Sequence, residues 1–489
     1  MATKSSPIWL EQHGEYLLPS VASVATVALD SDASIDTPLL AEQNHEKHET
    51  DSESEASKLS ATEALAHLIK GLTGTGLLSL PMAFKNAGLW AGLCALLFVC
   101  SIDTYCMRIL ETSANYFRKK QQRSSLDYGN LFRLCVDHGC PELKRYSYWA
   151  KFILNFQIFV AQFGTCCIYF VFLAENTQMV VDYWLGDESL ISTKAWITLW
   201  LIPILPLSML RHLKQLAIAA LLADVVYIAA CIVTFQFLLY DLPSASRLPA
   251  FTNFSQLSLA LGSIMFAFEG VCLVLPIADE IRDRKAFISW NGVLNTGCVL
   301  VTVIYACVGF YGYLKFGDAV HDTITLSLPY TGIYPYVRLG FCLAVFVTFA
   351  LQFYVPLARI EKWIRRKVWR GQTRRQHALF YGVRFALVLV CYGIAMAVPH
   401  LNLIISLIGA YGSSSLALFF PAIIDLLTER ARTGHIRVRT WLKDVLIFVV
   451  AIIAIVSGTY SALLSIIHSF YIPLPAMPAE LPREYLKIH

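Results

Sequence analysis

The residues best placed to do chemistry are Gly71, Leu72, Thr73, Gly74, Thr75 and Gly76, which break the first long apolar stretch near its middle before it closes on Pro81. An unsatisfied backbone N–H or C=O costs several kcal/mol in hydrocarbon, so unwound chain survives there only where protein, water or a ligand satisfies it. The break therefore reads as a binding site. Its glycine spacing also suggests a phosphate-cradling loop, but no strand precedes it and no Lys-Ser or Lys-Thr pair follows Gly76, which argues against a nucleotide.

A second break, Phe266-Ala267-Phe268-Glu269-Gly270, comes five apolar stretches later in a segment ending at Pro276. Discontinuous helices at matched positions point to inverted repeats with a substrate site between them at the bilayer midplane. A half-helix starting near Thr75 offers free N–H groups and a partial positive charge to a carboxylate. Carbonyls near Thr73 and after Phe266 suit an ammonium or a cation. A carboxylate and an ammonium on neighbouring carbons describe an α-amino acid. The expected contacts are the backbone of Thr73, Gly74, Thr75, Gly76 and Leu77 for the carboxylate and of Phe266, Ala267 and Phe268 for the amino group, with Phe268 limiting side-chain size. The alternative, that the glycines only let helices pack closely, is weaker for two matched breaks than for one.

Ionisable residues near the breaks suggest a driving ion. His67, one turn before Gly71, belongs to the side-chain type that titrates near neutral pH, and the competing reading is a histidine hydrogen-bonded to a neighbouring helix. Lys70 and Glu269 flank the two breaks and are costly in hydrocarbon unless paired, so they are expected either to compensate each other or, for Glu269, to take part in coupling. Glu175, Asp224, Asp103 and Asp425 are expected at span ends, within reach of water. Thr348 can offer its hydroxyl to a cation or to the carbonyl four residues back, the more frequent use.

The elements that position these residues are membrane helices. Hydrophobic residues make up 56% of the 489 and charged residues 15%, outside the mixture of soluble domains. An all-α integral membrane protein follows, with eleven spans centred near Leu72, Leu97, Gln162, Leu201, Ala229, Met265, Val301, Val345, Leu389, Gly409 and Ile453 by a window of about 19 residues. Helices one to five and six to ten form the two repeats, helices one and six being discontinuous, and helix eleven stands outside them. Basic residues concentrate at Arg118 to Lys120, Arg211 to Lys214, Arg282 to Lys285, Arg359 to Arg375 and Arg430 to Lys443, which puts the amino terminus in the cytoplasm and the carboxyl terminus on the exoplasmic or luminal side.

Three units are expected: a disordered acidic cytoplasmic tail over residues 1–58, an eleven-helix domain over 59–470, and a short exoplasmic or luminal tail over 471–489. The first tail is expected to lack a secretory leader and carries Asp36-Thr37-Pro38-Leu39-Leu40, which looks like an acidic dileucine-type endosomal sorting signal, a short pattern that also arises by chance. Asn253-Phe254-Ser255 is a glycosylation sequon on the outer side. None of the thirteen cysteines falls in an external loop, so no structural disulfide is expected. Cys135, Asp137, His138 and Cys140 lack a second ligand pair with zinc-like spacing, and neither metal nor cofactor is expected. No motif assembles a nucleophile with a base or a ring-forming filter, which speaks against an enzyme and a channel.

Six segments carry a family resemblance: HLIKGLTGTGLLSLPMAFKNAG (67 to 88), CIYFVFLAENTQ (167 to 178), FAFEG with LPIADE (266 to 280), GYLKFGD with TITLSLP (312 to 329), LQFYVP (351 to 356) and VPHLNLIISLIGA (398 to 410). With them the chain resembles the proton-coupled, or proton-assisted, amino acid transporter family of the amino acid and auxin permease group. The resemblance implies a LeuT-like fold of inverted five-helix repeats. It also implies symport of protons with small neutral amino acids such as glycine, alanine or proline towards the cytosol, at the plasma membrane or out of lysosomes. His67 matches the family's proton-responsive histidine. Some vertebrate members carry a disulfide-forming cysteine where this chain has Tyr330 and Thr331 after Pro329, so no redox requirement is carried over. The partners expected are amino acids, protons, the lipid bilayer and signalling or sorting proteins on the tail, with no nucleic acid. The competing class is a receptor-like nutrient sensor that binds amino acids and signals with little flux.

Overall fold

The computed structural model describes residues 58–186, 191–210, 213–367, 373–398 and 400–471. The sorting segment Asp36 to Leu40, nearly all of both tails and Arg211 lie outside the described residues. A chain surrounded by hydrocarbon must satisfy its N–H and C=O groups within each element, and the described residues are accordingly helical, with one isolated bridge between Leu59 and Ile281.

In chain order the helices are α1 (Ala61–Leu72), α2 (Thr75–Ala87), α3 (Leu89–Gln121), α4 (Tyr128–Gly139), α5 (Ser147–Leu185), α6 (Thr193–Ser208), α7 (Leu213–Leu239), α8 (Phe254–Ala267), α9 (Val271–Glu280), α10 (Arg284–Ile288) and α11 (Val293–Phe316). They continue with α12 (Ile324–Ser327), α13 (Tyr334–Lys367), α14 (Thr373–Ala397), α15 (Leu401–Leu407), α16 (Phe420–Thr433) and α17 (Val438–Tyr471). Among the described residues nine helical stretches are long and apolar enough to cross a membrane, and α6 is a shorter apolar helix. The span centred near Leu72 is divided into α1 and α2, of 12 and 13 residues. At about 1.5 Å per residue neither crosses a core of about 30 Å alone.

Helices α2, α8, α5 and the stretch from α15 to α16 form the interior, while α7 and α17 turn large apolar side chains such as Leu222, Ile232, Ile453 and Val456 outward. That outward surface matches an acyl-chain solvent. Between α15 and α16 the helix widens into π-type turns over Ile408–Ser413 and Ser415–Phe419, a local expansion frequent at functional sites. Small residues let this wide stretch touch α8 through backbone. A Cβ on Gly409 would lie 1.8 Å from the Gly262 carbonyl oxygen, and one on Gly262 would lie 2.4 Å from that of Ser406. The Ser263 and Ser406 hydroxyls meet across the same contact at 2.9 Å.

Several polar residues differ in place from their expected positions. Asp103 is fully buried, and neither carboxylate oxygen has a hydrogen-bond partner among the described residues, because α3 turns this residue inward rather than towards a watery end. Glu175 is half-buried with one oxygen lacking a hydrogen-bond partner among the described residues, and Asp425 is paired with Lys443 at 2.6 Å. Thr348 bonds the Ala344 carbonyl four residues back at 2.8 Å. The thirteen cysteines are free thiols. Cys135 meets the Thr428 hydroxyl, His138 the Leu134 carbonyl and Cys140 the Arg430 guanidinium, so each of these groups has its own partner.

Candidate functional site

Helix α1 starts at a capping box in which the Glu63 N–H meets the Ser60 hydroxyl and the Ser60 N–H reaches the Glu63 carboxylate at 2.8 Å. It stops at Thr73, whose N–H and hydroxyl both return to the Ile69 carbonyl, at 2.9 and 2.8 Å. Thr73 and Gly74 are extended, and α2 starts at Thr75 with no side chain capping its first turn. Uncapped first-turn N–H groups at a helix start suit an anion.

The three glycines at this break do different work. A Cβ on Gly76 would lie 2.4 Å from the Ala267 Cα, so the first turn of α2 is packed backbone on backbone against the end of α8. At Gly71 a Cβ would strike the end of the Leu273 side chain. At Gly74 it would meet nothing within 4 Å. Gly74 has a negative φ that any residue can adopt. What its missing side chain leaves is space beside the free turn.

The second break brings Phe266, Ala267 and Phe268 to the same place, all buried. Helix α8 ends at Ala267, the chain bends through Phe268, Glu269 and Gly270, and α9 begins at Val271 without a side-chain cap. Two tyrosines that sequence reasoning did not single out donate to carbonyls at both breaks. The Tyr305 hydroxyl on α11 donates to the carbonyls of Leu72, at 2.5 Å, and Ala267, at 2.7 Å. The Tyr227 hydroxyl on α7 donates to the Gly74 carbonyl at 2.9 Å. Phe268 packs edge-on against the Tyr305 ring, with centroids 5.1 Å apart. Their only sequence signal is being tyrosines in otherwise apolar spans.

The charged residues pair differently from expectation. Lys70 forms its ion pair with Asp224 on α7 and not with Glu269. Glu269 sits within the unwound turn and accepts from the Ser413 hydroxyl of the wide π stretch at 3.2 Å, and its other oxygen has no hydrogen-bond partner among the described residues. The two residues flank the breaks in sequence, but one lies in the last regular turn of α1 and the other beyond the end of α8, so they face different neighbours. His67 is half-buried on α1, one turn before Lys70 and four residues after Glu63. Asn253 is exposed and caps α8, its side chain accepting from the Gln256 N–H at 2.8 Å.

One end of the broken pair is tied shut. Leu59 N–H donates to the Glu280 carbonyl at 2.9 Å and Arg282 N–H to the Leu59 carbonyl at 3.0 Å, joining the start of α1 to the end of α9. Beside this junction Asp279 is paired with Arg118 and Arg284, each at 3.0 Å, and Arg118 with Glu111 at 2.8 Å. Such a desolvated network is strongly destabilised by loss of one member, because the remaining charges stay buried.

Many membrane-length helices around two interrupted ones that meet at the centre define a multi-pass membrane protein of transporter type. The model for the transmembrane amino acid transporter protein family matches residues 57–464, and the chain belongs to that family. It is similar to the proton-coupled amino acid transporter-like protein pathetic of Drosophila melanogaster, 31% identical over 411 residues that cover 83% of this chain and 85% of the relative. It is also similar to the probable amino acid transporter skat-1 of Caenorhabditis elegans, 27% identical over 438 residues that cover 85% and 92%. These relatives are named as transporters, and the family is not one of enzymes.

Proposed function

We propose that the protein is a proton-coupled symporter of small neutral α-amino acids, of the glycine, alanine and proline type, working towards the cytosol by alternating access. The observation that carries this reading is the meeting of the two breaks. Uncapped N–H groups at Thr75 and Gly76 and the open space beside Gly74 suit a substrate carboxylate, and the buried turn at Phe266 to Phe268 provides the opposite wall. On this reading α1 with α2 forms the first of eleven spans, α8 with α9 the sixth, and residues 59–470 fold as two inverted five-helix repeats plus α17. The amino terminus is cytosolic, so the Leu59 to Ile281 junction and the Asp279 network form the cytosolic gate. Inward opening separates α1 from α9 there.

The proton coupling is argued from His67 and from the likeness to a relative named as proton-coupled. A proton moving inward supplies about 1.4 kcal/mol per pH unit and about 2.3 kcal/mol per 100 mV, enough to concentrate a neutral solute. Glu269 is the second titratable group of the site, with one carboxylate oxygen that has no hydrogen-bond partner among the described residues.

The test is uptake of labelled glycine, alanine and proline into proteoliposomes under an imposed pH gradient, with wild type beside His67→Ala. Gradient-driven uptake by the wild type that loses its pH dependence in the variant is the expected result. Binding of amino acids without gradient-dependent uptake would sink the symporter and leave a sensor. A pH dependence unchanged in His67→Ala would remove that residue and pass the role to Glu269.

A further inference from the structure

Tyr305 is fully buried, and its single hydroxyl hydrogen lies between two carbonyls that belong to different helices. Leu72 is the last residue of α1 and Ala267 the last of α8, so both carbonyls sit at the negative ends of half-helices that stop at a break. Two such oxygens converging on one point have the character of a site for a small monovalent cation, the use to which transporters put unwound carbonyls and half-helix ends. Here a neutral donor from α11 takes that point. Tyr227 donates from α7 to the Gly74 carbonyl, which also accepts from the Leu77 N–H, and the Tyr305 ring is held edge-on by Phe268.

We propose that the Tyr305 hydroxyl stands in for an alkali cation, setting the two breaks against each other while excluding sodium and lithium from the carbonyl pair. Tyr305 is thus a positioning and ion-specificity residue, and the driving ion is left to the titratable groups of the site. The arrangement also says what removing the hydroxyl does. Phenylalanine keeps the ring and its packing on Phe268 but leaves two buried carbonyls without a donor, at a point the hydroxyl oxygen had filled.

The inference rests on the transporter reading only for its uptake arm. Full-length wild type and Tyr305→Phe are purified, and their thermal stability in detergent and amino acid uptake in proteoliposomes are measured in sodium, lithium or choline chloride at equal ionic strength. Wild type is expected to behave alike in all three salts. In choline, Tyr305→Phe should unfold at lower temperature and lose on the order of tenfold in uptake kcat/KM, the effect of leaving buried acceptors unpaired. Sodium or lithium should restore most of both, with a saturable concentration dependence. A variant that responds identically to the three salts, whether unimpaired or uniformly weakened, overturns the proposal, and so does a wild type that itself needs sodium. If Tyr305→Phe is recovered from no salt, Tyr305→Asn, too short to span both carbonyls, is read by the same comparison. A wild type without uptake in any salt defeats the transporter reading, while the stability arm still decides the role of Tyr305.

Discussion

Lys70, the residue before Gly71, is ion-paired with Asp224 on α7, and this contact crosses from the broken first helix to the fifth span of the proposed repeat. Both side chains are about a third exposed or less, so solvent moderates the attraction. Lys70→Met and Asp224→Asn should each lower thermal stability in detergent, and the double variant should lose less than their sum, by about 1 kcal/mol of coupling. Lys70→Met combined with Glu269→Gln should be additive. Additivity at Lys70 and Asp224, measured in the same double-mutant cycle, would show that the pair contributes nothing.

Gly74 and Gly76 lie two residues apart and should respond oppositely to the same methyl group. Gly76→Ala drives a Cβ into the Ala267 backbone, an overpacking that costs about 1–3 kcal/mol, and should yield little monodisperse protein. Gly74→Ala meets open space and should fold normally while raising the amino acid KM or abolishing uptake. Size-exclusion profiles and uptake together read both effects, and a Gly74→Ala protein that transports like wild type would mean that the space is not where substrate sits.

Removing the Tyr227 hydroxyl leaves the Gly74 carbonyl with the Leu77 N–H, at 3.1 Å, as its donor. Tyr227→Phe should cost about 0.5–1.5 kcal/mol, and the loss should show as weaker substrate affinity because Gly74 borders the open turn. Equal affinity of wild type and variant, measured by binding titration, would place that carbonyl outside the site.

Asn253 both caps α8 and heads the sequon, so replacing it confounds two effects. Ser255→Ala breaks only the sequon, since the Ser255 side chain makes no hydrogen bond among the described residues and the Asn253 cap to Gln256 is kept. On the proposed topology the wild type carries a glycan at Asn253, and Ser255→Ala should migrate faster on a gel with unchanged thermal stability. A wild-type band insensitive to glycosidase treatment would leave this loop without support for its outer placement.

The sequence made the two breaks legible because glycine clusters and a closing proline are rare inside apolar stretches, and their spacing of five spans carried the site. Hydrophobicity over about 20 residues revealed membrane helices for the same reason. What it could not reveal was which polar partner each freed group would find. Tyr227, Tyr305 and Ser413 come from three other helical segments, and a hydroxyl in an apolar span carries no mark of the carbonyl or carboxylate it meets. The mispairing of Lys70 with Glu269 has the same origin, since adjacency to a break fixes position along a helix but not the face. Asp103 shows the converse, an acid close enough to a span end to suggest hydration yet turned inward by the rotation of α3.

The bridge at Leu59 gives the start of the described chain a mechanical bearing. Residue 59 is clasped by backbone on both sides, to Glu280 and Arg282, one step before the capping box of α1. Both bonds tie residue 59 to the end of α9, so yielding there unfastens α1 and α9 together. In the proposed transport cycle that junction is the gate, so a load on residue 59 and occupancy of the breaks act on the same two helices.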